Sequence, residues 1–187
     1  TEAKKRPVNF ILDVSVKRRD GEMKREEITE ICEREVLETA ARLFGTSKNS
    51  LSKTEDSEGC ANLVYEYQRN GQARMLRITY RPERPVAVVQ AELHFVNYLA
   101  ENGVRVSRPV PSENGNLLEV IPVEGVPFIV ASFVKGRGMR VPDNGYRYRV
   151  GAPIEEYFQN WGNALGQMHR LTKTYQPPSR AIRRPEW

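Results

Sequence analysis

The sequence predicts an α+β fold, an antiparallel sheet flanked by helices, and three observations carry that expectation. The dipeptide Asn70-Gly71 sits between two strand-like runs. Three segments place apolar residues at helical spacing. A nearly continuous apolar run, Phe128-Ile129-Val130-Ala131-Ser132-Phe133-Val134, has the composition of a central strand. The bulk numbers set the frame. With 187 residues, 39% hydrophobic and 28% charged, the chain is globular and can bury one good core or one lobe plus the start of another.

Residues 1–22 read as an extension, with basic clusters (Lys4-Lys5-Arg6 and Lys17-Arg18-Arg19) around a short strand-like stretch. Met23 precedes a clear helix and is a candidate native start. From Arg25 to Phe44 the residues Ile28, Ile31, Cys32, Val36, Ala40, Leu43 and Phe44 mark one amphipathic helix, which Gly45 is placed to end. A polar stretch follows, then runs 62–69 and 72–80. Asn-Gly supplies the positive φ that both central positions of a type I′ turn require. A two-residue loop sets Val64 opposite Arg77. One face of the hairpin then carries Leu63, Tyr65, Tyr67, Leu76, Ile78 and Tyr80, for a core. The other carries Val64, Glu66, Met75, Arg77 and Thr79, suited to lining a cleft.

A second helix is expected from Val86 to Asn102, stopped by Gly103, with the stripe Val86, Val89, Leu93, Val96, Leu99 and Ala100. Glu92 lies about 40° from Val96, inside that stripe, and a carboxylate on a buried face needs a partner. His94 points away from the stripe. Two strands are expected around Leu117–Ile121 and Pro127–Val134, with a turn at Asn114-Gly115, and Lys135-Gly136-Arg137-Gly138 breaks the second. After a polar connection, a last helix from Ile154 to Leu171 places Tyr157, Phe158, Trp161, Leu165 and Met168 on one face. Domains are therefore read as 1–22, 23–138 and 139–187.

Other classes find little support. No apolar run approaches the roughly 20 residues of a membrane span, and no secretory h-region opens the chain. Cys32 and Cys60 lie in different elements without metal-ligand spacing, so inert packing is the reading for Cys32. The net charge of +5 is spread along the chain and suits an anionic ligand without naming one. The run Tyr146-Arg147-Tyr148-Arg149 and the basic tail could grip nucleic acid, but they are short and sit in linkers, where a solvated surface is the simpler account.

The segments Glu58-Gly-Cys-Ala-Asn-Leu-Val-Tyr65, Met75-Leu-Arg-Ile78, Ala91 to Gly103, Phe128 to Gly136 and Leu165-Gly-Gln-Met-His-Arg-Leu171 run in one order over residues 24–187. In that order they resemble the aminoglycoside phosphotransferase and choline kinase-like family, whose fold is protein-kinase-like. The resemblance implies the N-terminal lobe of that fold plus the first helix of a C-terminal lobe, with ATP as nucleotide. It implies that the loop from Asp56 to Asn62 folds over the phosphates, with Ser57, Gly59, Cys60 and Asn62 in contact. It places Val64 in the adenine roof and Arg77 where such kinases carry the phosphate-contacting strand cation. Glu92 becomes the partner of Arg77, and Ser132, Phe133 and Val134 a hinge whose backbone reads adenine. The bland alternatives are a hairpin-entry loop, a solvated strand cation and a core strand with an exposed end.

His169 matches a helix histidine of structural rather than catalytic role. The family's H-x-D-x-x-x-x-N catalytic loop and its magnesium ligands would lie beyond Trp187, so no catalytic or metal residue is assigned. The chain is expected to be an N-terminal fragment of a cytoplasmic small-molecule kinase acting on a hydroxyl compound, inactive as it stands. The competing reading is a non-catalytic nucleotide-binding or regulatory module. The apolar face around Tyr157, Phe158 and Trp161 is expected to drive self-association into a homodimer.

Overall fold

A computed structural model describes residues 24–54, 62–80, 85–138, 151 and 153–178. The N-terminal extension, the Asp56–Ala61 part of the expected phosphate loop, the connection after the hinge and the basic tail fall outside them.

The first helix forms where its apolar spacing places it, but not as one α-helix. Helix α1 (Arg25–Ile31) passes into a π-helical turn (Cys32–Val36) and then α2 (Leu37–Leu43). The Leu37 N–H bonds to the Cys32 carbonyl, five residues back. The widened turn leaves the Glu33 carbonyl to accept the Lys48 ammonium at 2.5 Å. Cys32, Val36, Leu37, Ala40 and Phe44 are all buried, so the stripe stays on the sheet through the irregular turn. Gly45, at φ +68°, ends the helix as expected, with Thr46 N–H reaching back to Ala41.

The hairpin adopts the predicted register. Strands β2 (Asn62–Arg69) and β3 (Gln72–Tyr80) pair from Asn62↔Thr79 to Arg69↔Gln72, with Val64 opposite Arg77. Asn70 and Gly71 take φ of 52° and 72°, the left-handed pair of a type I′ turn. A two-residue strand, β1 (Ser52–Lys53), extends the outer edge. Helix α3 (Val86–Glu101) follows, and Gly103 at φ +82° lies just past its end.

The last three strands depart from expectation at their margins. The strand expected from Leu117 begins at Glu119, as β5 (Glu119–Val123), and pairs with β6 (Val126–Val134). Their connection is Glu124-Gly125, at φ 49° and 82°, a second left-handed pair written without Asn. The short β4 (Pro109–Val110) was not anticipated. The sheet order is β1-β2-β3-β6-β4, with β5 also on β6, so β6 is central and the pairs are antiparallel.

Helices cover both faces of this sheet. On one face α1, the π turn and α2 pack on Leu63, Tyr65, Tyr67, Leu76, Ile78, Phe128 and Val130. On the other, Val89 and Leu93 of α3 pack on Ile129 and Ala131, the alternate residues of β6. The final helix, α4 (Ile154–Thr172), has no buried side chain, and Phe158 and Trp161 are 55% and 56% exposed.

Candidate nucleotide site on the second sheet face

Arg77 stands in the middle of β3, between Val64 on β2 and Ala131 on β6. The alternation that sends Leu76 and Ile78 into the larger core sends Arg77 to the α3 side. There its Nη1 donates to Glu92 Oε1 at 2.8 Å. The side chains are 19% and 23% exposed, so the pair is largely withdrawn from water. Glu92, the stray carboxylate of the α3 stripe, thus meets a cation, and the unfavourable burial of each charge is offset by the other.

The guanidinium is also held from above. Its Cζ lies 4.9 Å from the centroid of the Phe133 ring, within cation–π range. Phe133 shares this face with Met75, its partner across β3 and β6. Two further guanidinium nitrogens, Nε and Nη2, are buried with no hydrogen-bond partner among the described residues. A buried donor without an acceptor is costly, and an anionic oxygen would satisfy it. Arginine suits the position because its planar fork can stack, pair with a carboxylate and still offer donors to a phosphate.

The remaining expected residues are distributed unevenly. Val64 and Asn62 lie on the same hairpin face as Arg77; Asn62 Oδ1 accepts from Thr79 Oγ1 at 2.7 Å, closing the open end of the hairpin. Ser132 lies on β6, but its side chain points to the opposite layer, where its hydroxyl hydrogen-bonds that of Tyr67 at 2.8 Å in the core. The Val134 N–H donates to the Arg108 carbonyl at 2.9 Å, and Lys135 N–H to Ala73 at 3.0 Å. Ser57, Gly59 and Cys60 lie outside the described residues. His169 is exposed on α4. Among the described residues, no group of three or more His, Cys, Asp or Glu side chains could hold a metal ion.

Two features were not foreseen. The Phe133 side chain, expected only as backbone, forms a wall of the site, because alternation along β6 and its register with β3 send it to the Arg77 face. At the rim, Lys135 Nζ and Glu66 Oε2 pair at 2.6 Å, joining the end of β6 to the hairpin. The cross-strand register placed Glu66 on the cleft face, but nothing local marks Lys135 as its partner.

Cys32 is fully buried against Tyr65, and burial pushes its thiol up to about 12, as suits an inert core cysteine. Burial likewise raises the Tyr65 phenol.

An antiparallel sheet flanked by helices, with a helix glutamate paired to a strand cation, is the N-terminal lobe of a protein-kinase-like fold, and comparisons with known proteins agree. Residues 54–187 match the model of the Phosphotransferase enzyme family, and the chain belongs to that family. It is 32% identical to amicoumacin kinase of Bacillus subtilis (strain 168) over 156 residues, covering 83% of this chain and 44% of that protein. It is 27% identical to homoserine kinase of Cupriavidus necator, covering 68% and 35%. Among solved structures it resembles amicoumacin kinase hAmiN in complex with AMP-PNP, Ca2+ and Ami, with TM-score 0.74, 29% identity and coverage of 88% and 47%. The microcompartment-associated aminopropanol kinase shares the fold, with TM-score 0.61 at 22% identity, covering 80% and 43%. The chain thus spans less than half the length of these relatives. Among the described residues no helix is long and apolar enough to cross a membrane.

Proposed function

We propose that residues 23–138 bind the triphosphate of ATP in a cytoplasmic kinase that phosphorylates a small hydroxyl compound. The observation that carries this reading is Arg77, fixed by Glu92 and Phe133 yet retaining two buried donors with no partner among the described residues. Phosphoryl transfer demands that the triphosphate be held and its charge neutralised, with little covalent work by the protein. In this reading Arg77 donates to phosphate oxygens, Glu92 and Phe133 hold its plane, and Val64 covers the adenine. By the family resemblance the loop from Asp56 to Asn62 would contact the phosphates, and the backbone at Ser132–Val134 would face the base. With the Val134 amide engaged by Arg108, base recognition there falls to carbonyl groups or to a shift of that segment. A divalent ion would travel with the nucleotide and offset phosphate charge; no described residue is assigned to hold it. The complex of a relative with AMP-PNP and Ca2+ supports the pairing of nucleotide and divalent cation. The exposed α4 face belongs to the same proposal as a surface for a second copy of the chain.

Calorimetric titration with Mg·ATP tests the reading. The full chain should bind, Arg77→Ala should weaken binding about tenfold or more, and Arg77→Lys should recover only part of the loss, since an ammonium cannot stack and fork at once. Equal affinity of all three proteins would remove Arg77 from the site, and no binding by the unaltered chain would overturn the nucleotide reading.

A further inference from the structure

Helix α3 carries Glu92 and buries Val89, Ala91, Leu93 and Leu99. Its cluster against the sheet, Val89 and Leu93 on Ile129 and Ala131 with Val86 beside them, is smaller than the one on the opposite face. A shift of α3 on that smaller cluster would carry Glu92 away from Arg77.

The other attachment lies further round the same helix. Phe95, three residues after Glu92, meets the Tyr175 ring edge-on at 5.0 Å. Tyr98, one turn later, meets the same ring at 5.1 Å. The Tyr98 hydroxyl bonds Thr174 Oγ1 at 3.0 Å and approaches the Leu171 carbonyl at 3.4 Å. Thr174 Oγ1 itself bonds that carbonyl at 3.1 Å, so hydroxyls and carbonyl form one cluster at the end of α4. Tyr175 therefore lies between two aromatic residues of α3 immediately after α4 ends. Residues three and six positions beyond Glu92 fall within roughly a third of the helix circumference from it.

We infer that Phe95, Tyr98 and Tyr175 form an aromatic clasp that positions α3, and that through α3 it holds Glu92 on Arg77, so that the segment after α4 governs the affinity of the nucleotide site. The inference rests on the nucleotide reading above for its effect on binding, though not for its effect on α3. Tyr98 and Tyr175 are positioning residues, since neither touches the Arg77–Glu92 pair. Loss of the clasp lets α3 sample poses in which Glu92 no longer orients the guanidinium, and the phosphate donors lose their fixed direction.

Two measurements on the full chain test it. The first is Mg·ATP affinity in a double-mutant cycle of Tyr175→Ala with Glu92→Gln. The clasp predicts that Tyr175→Ala weakens binding about tenfold and adds little once Glu92 is already altered, because both act on one orientation of Arg77. A merely structural tyrosine would give losses that multiply, and that result, or unchanged affinity in Tyr175→Ala, overturns the inference. The second is amide hydrogen exchange, which needs no ligand. Tyr175→Ala should speed exchange along α3 through Glu92 while the β2–β3 hairpin stays protected; faster exchange confined to residues 171–178 overturns the clasp. Should Tyr175→Ala fail to fold, Tyr98→Phe, which keeps the ring and removes the hydroxyl bonds, should still loosen α3 measurably, and an α3 as protected as in the unaltered chain would count against it. If the unaltered chain binds no Mg·ATP, the nucleotide reading fails alone, and the exchange experiment still decides the clasp.

Discussion

Cys32 shows how much a single buried side chain can dictate. Its thiol, fully enclosed beside Tyr65, is pushed from 9.0 to about 12 by desolvation. The folded protein thus holds this proton in a range where the unfolded chain releases it. Between about pH 9 and pH 12 the unfolded state binds fewer protons, so stability is flat below that window and falls as pH rises through it, at most about 1.4 kcal/mol per pH unit from this thiol. Tyr65 shifts in the same direction and steepens the alkaline loss. Urea titrations at pH 8 and pH 10.5 should show that decline, and Cys32→Ala should flatten it. At pH 8 the native thiol should resist alkylation at the Cys32 peptide, and rapid labelling there would contradict its enclosure. Arg77 and Glu92 teach a complementary lesson. Helical phase alone marked Glu92 as a carboxylate in need of a cation, and hairpin register alone put Arg77 on a cleft face. Their meeting at 2.8 Å joins two local arguments. The stack of Phe133 on Arg77 was not legible, because it depends on the pairing of β6 with β3, which no local pattern states.

Among the elements, those with strong local chemistry were readable and those without it were not. The β2–β3 hairpin was legible to the residue because Asn70-Gly71 admits one turn type and that turn sets the register. The margins of the β5–β6 hairpin were less legible because its turn is written Glu124-Gly125, a pair with weak turn preference, while the stronger signal, Asn114-Gly115, lies before β5. Strands β1 and β4, two residues each, are too short for any period to register. The π turn is invisible for another reason. Its buried residues keep to the same stripe, and the carbonyl it frees is met by Lys48, which is remote in sequence. Gly45 was legible as a helix stop but carries a second duty. A Cβ there would meet Glu113 Oε1 at 2.5 Å and Arg69 Cζ at 2.6 Å, in the ion pair that ties the hairpin tip to the loop before β5. Gly45→Ala should cost about 1–2 kcal/mol from its φ of +68°, with the long side chains yielding at smaller cost. Chemical denaturation measures this, and an unchanged midpoint would show that the turn can relax.

At the scale of the whole molecule, the two helical layers differ in how completely they are used. Helices α1 and α2 are buried against the sheet, while α4 leaves Ile154, Phe158, Trp161 and Leu165 exposed along one side. Apolar residues arranged on one helix face favour association. Light scattering on the isolated chain should show mass rising with concentration, and Trp161→Asp should lower it; a strict monomer at high concentration would refute the homodimer. The central place of β6 has a consequence for how the chain folds. Its partner β5 is its neighbour in sequence, but β3 reaches it only across the whole of α3 and the β4 region. Closing so long a loop is entropically slow, so the two hairpins should form early and the β3–β6 seam late. Tyr67→Phe, which removes the hydroxyl bond to Ser132 on β6, should then mainly speed unfolding, and Gly71→Ala, in the turn of the early β2–β3 hairpin at φ +72°, should slow refolding; the opposite assignment in stopped-flow chevrons would place the seam in the nucleus instead. Until that seam closes, the strand from Phe128 to Val134 presents an unpaired apolar edge, and the nascent protein is at its most vulnerable to misassembly at the moment before the Arg77 face of the sheet is complete.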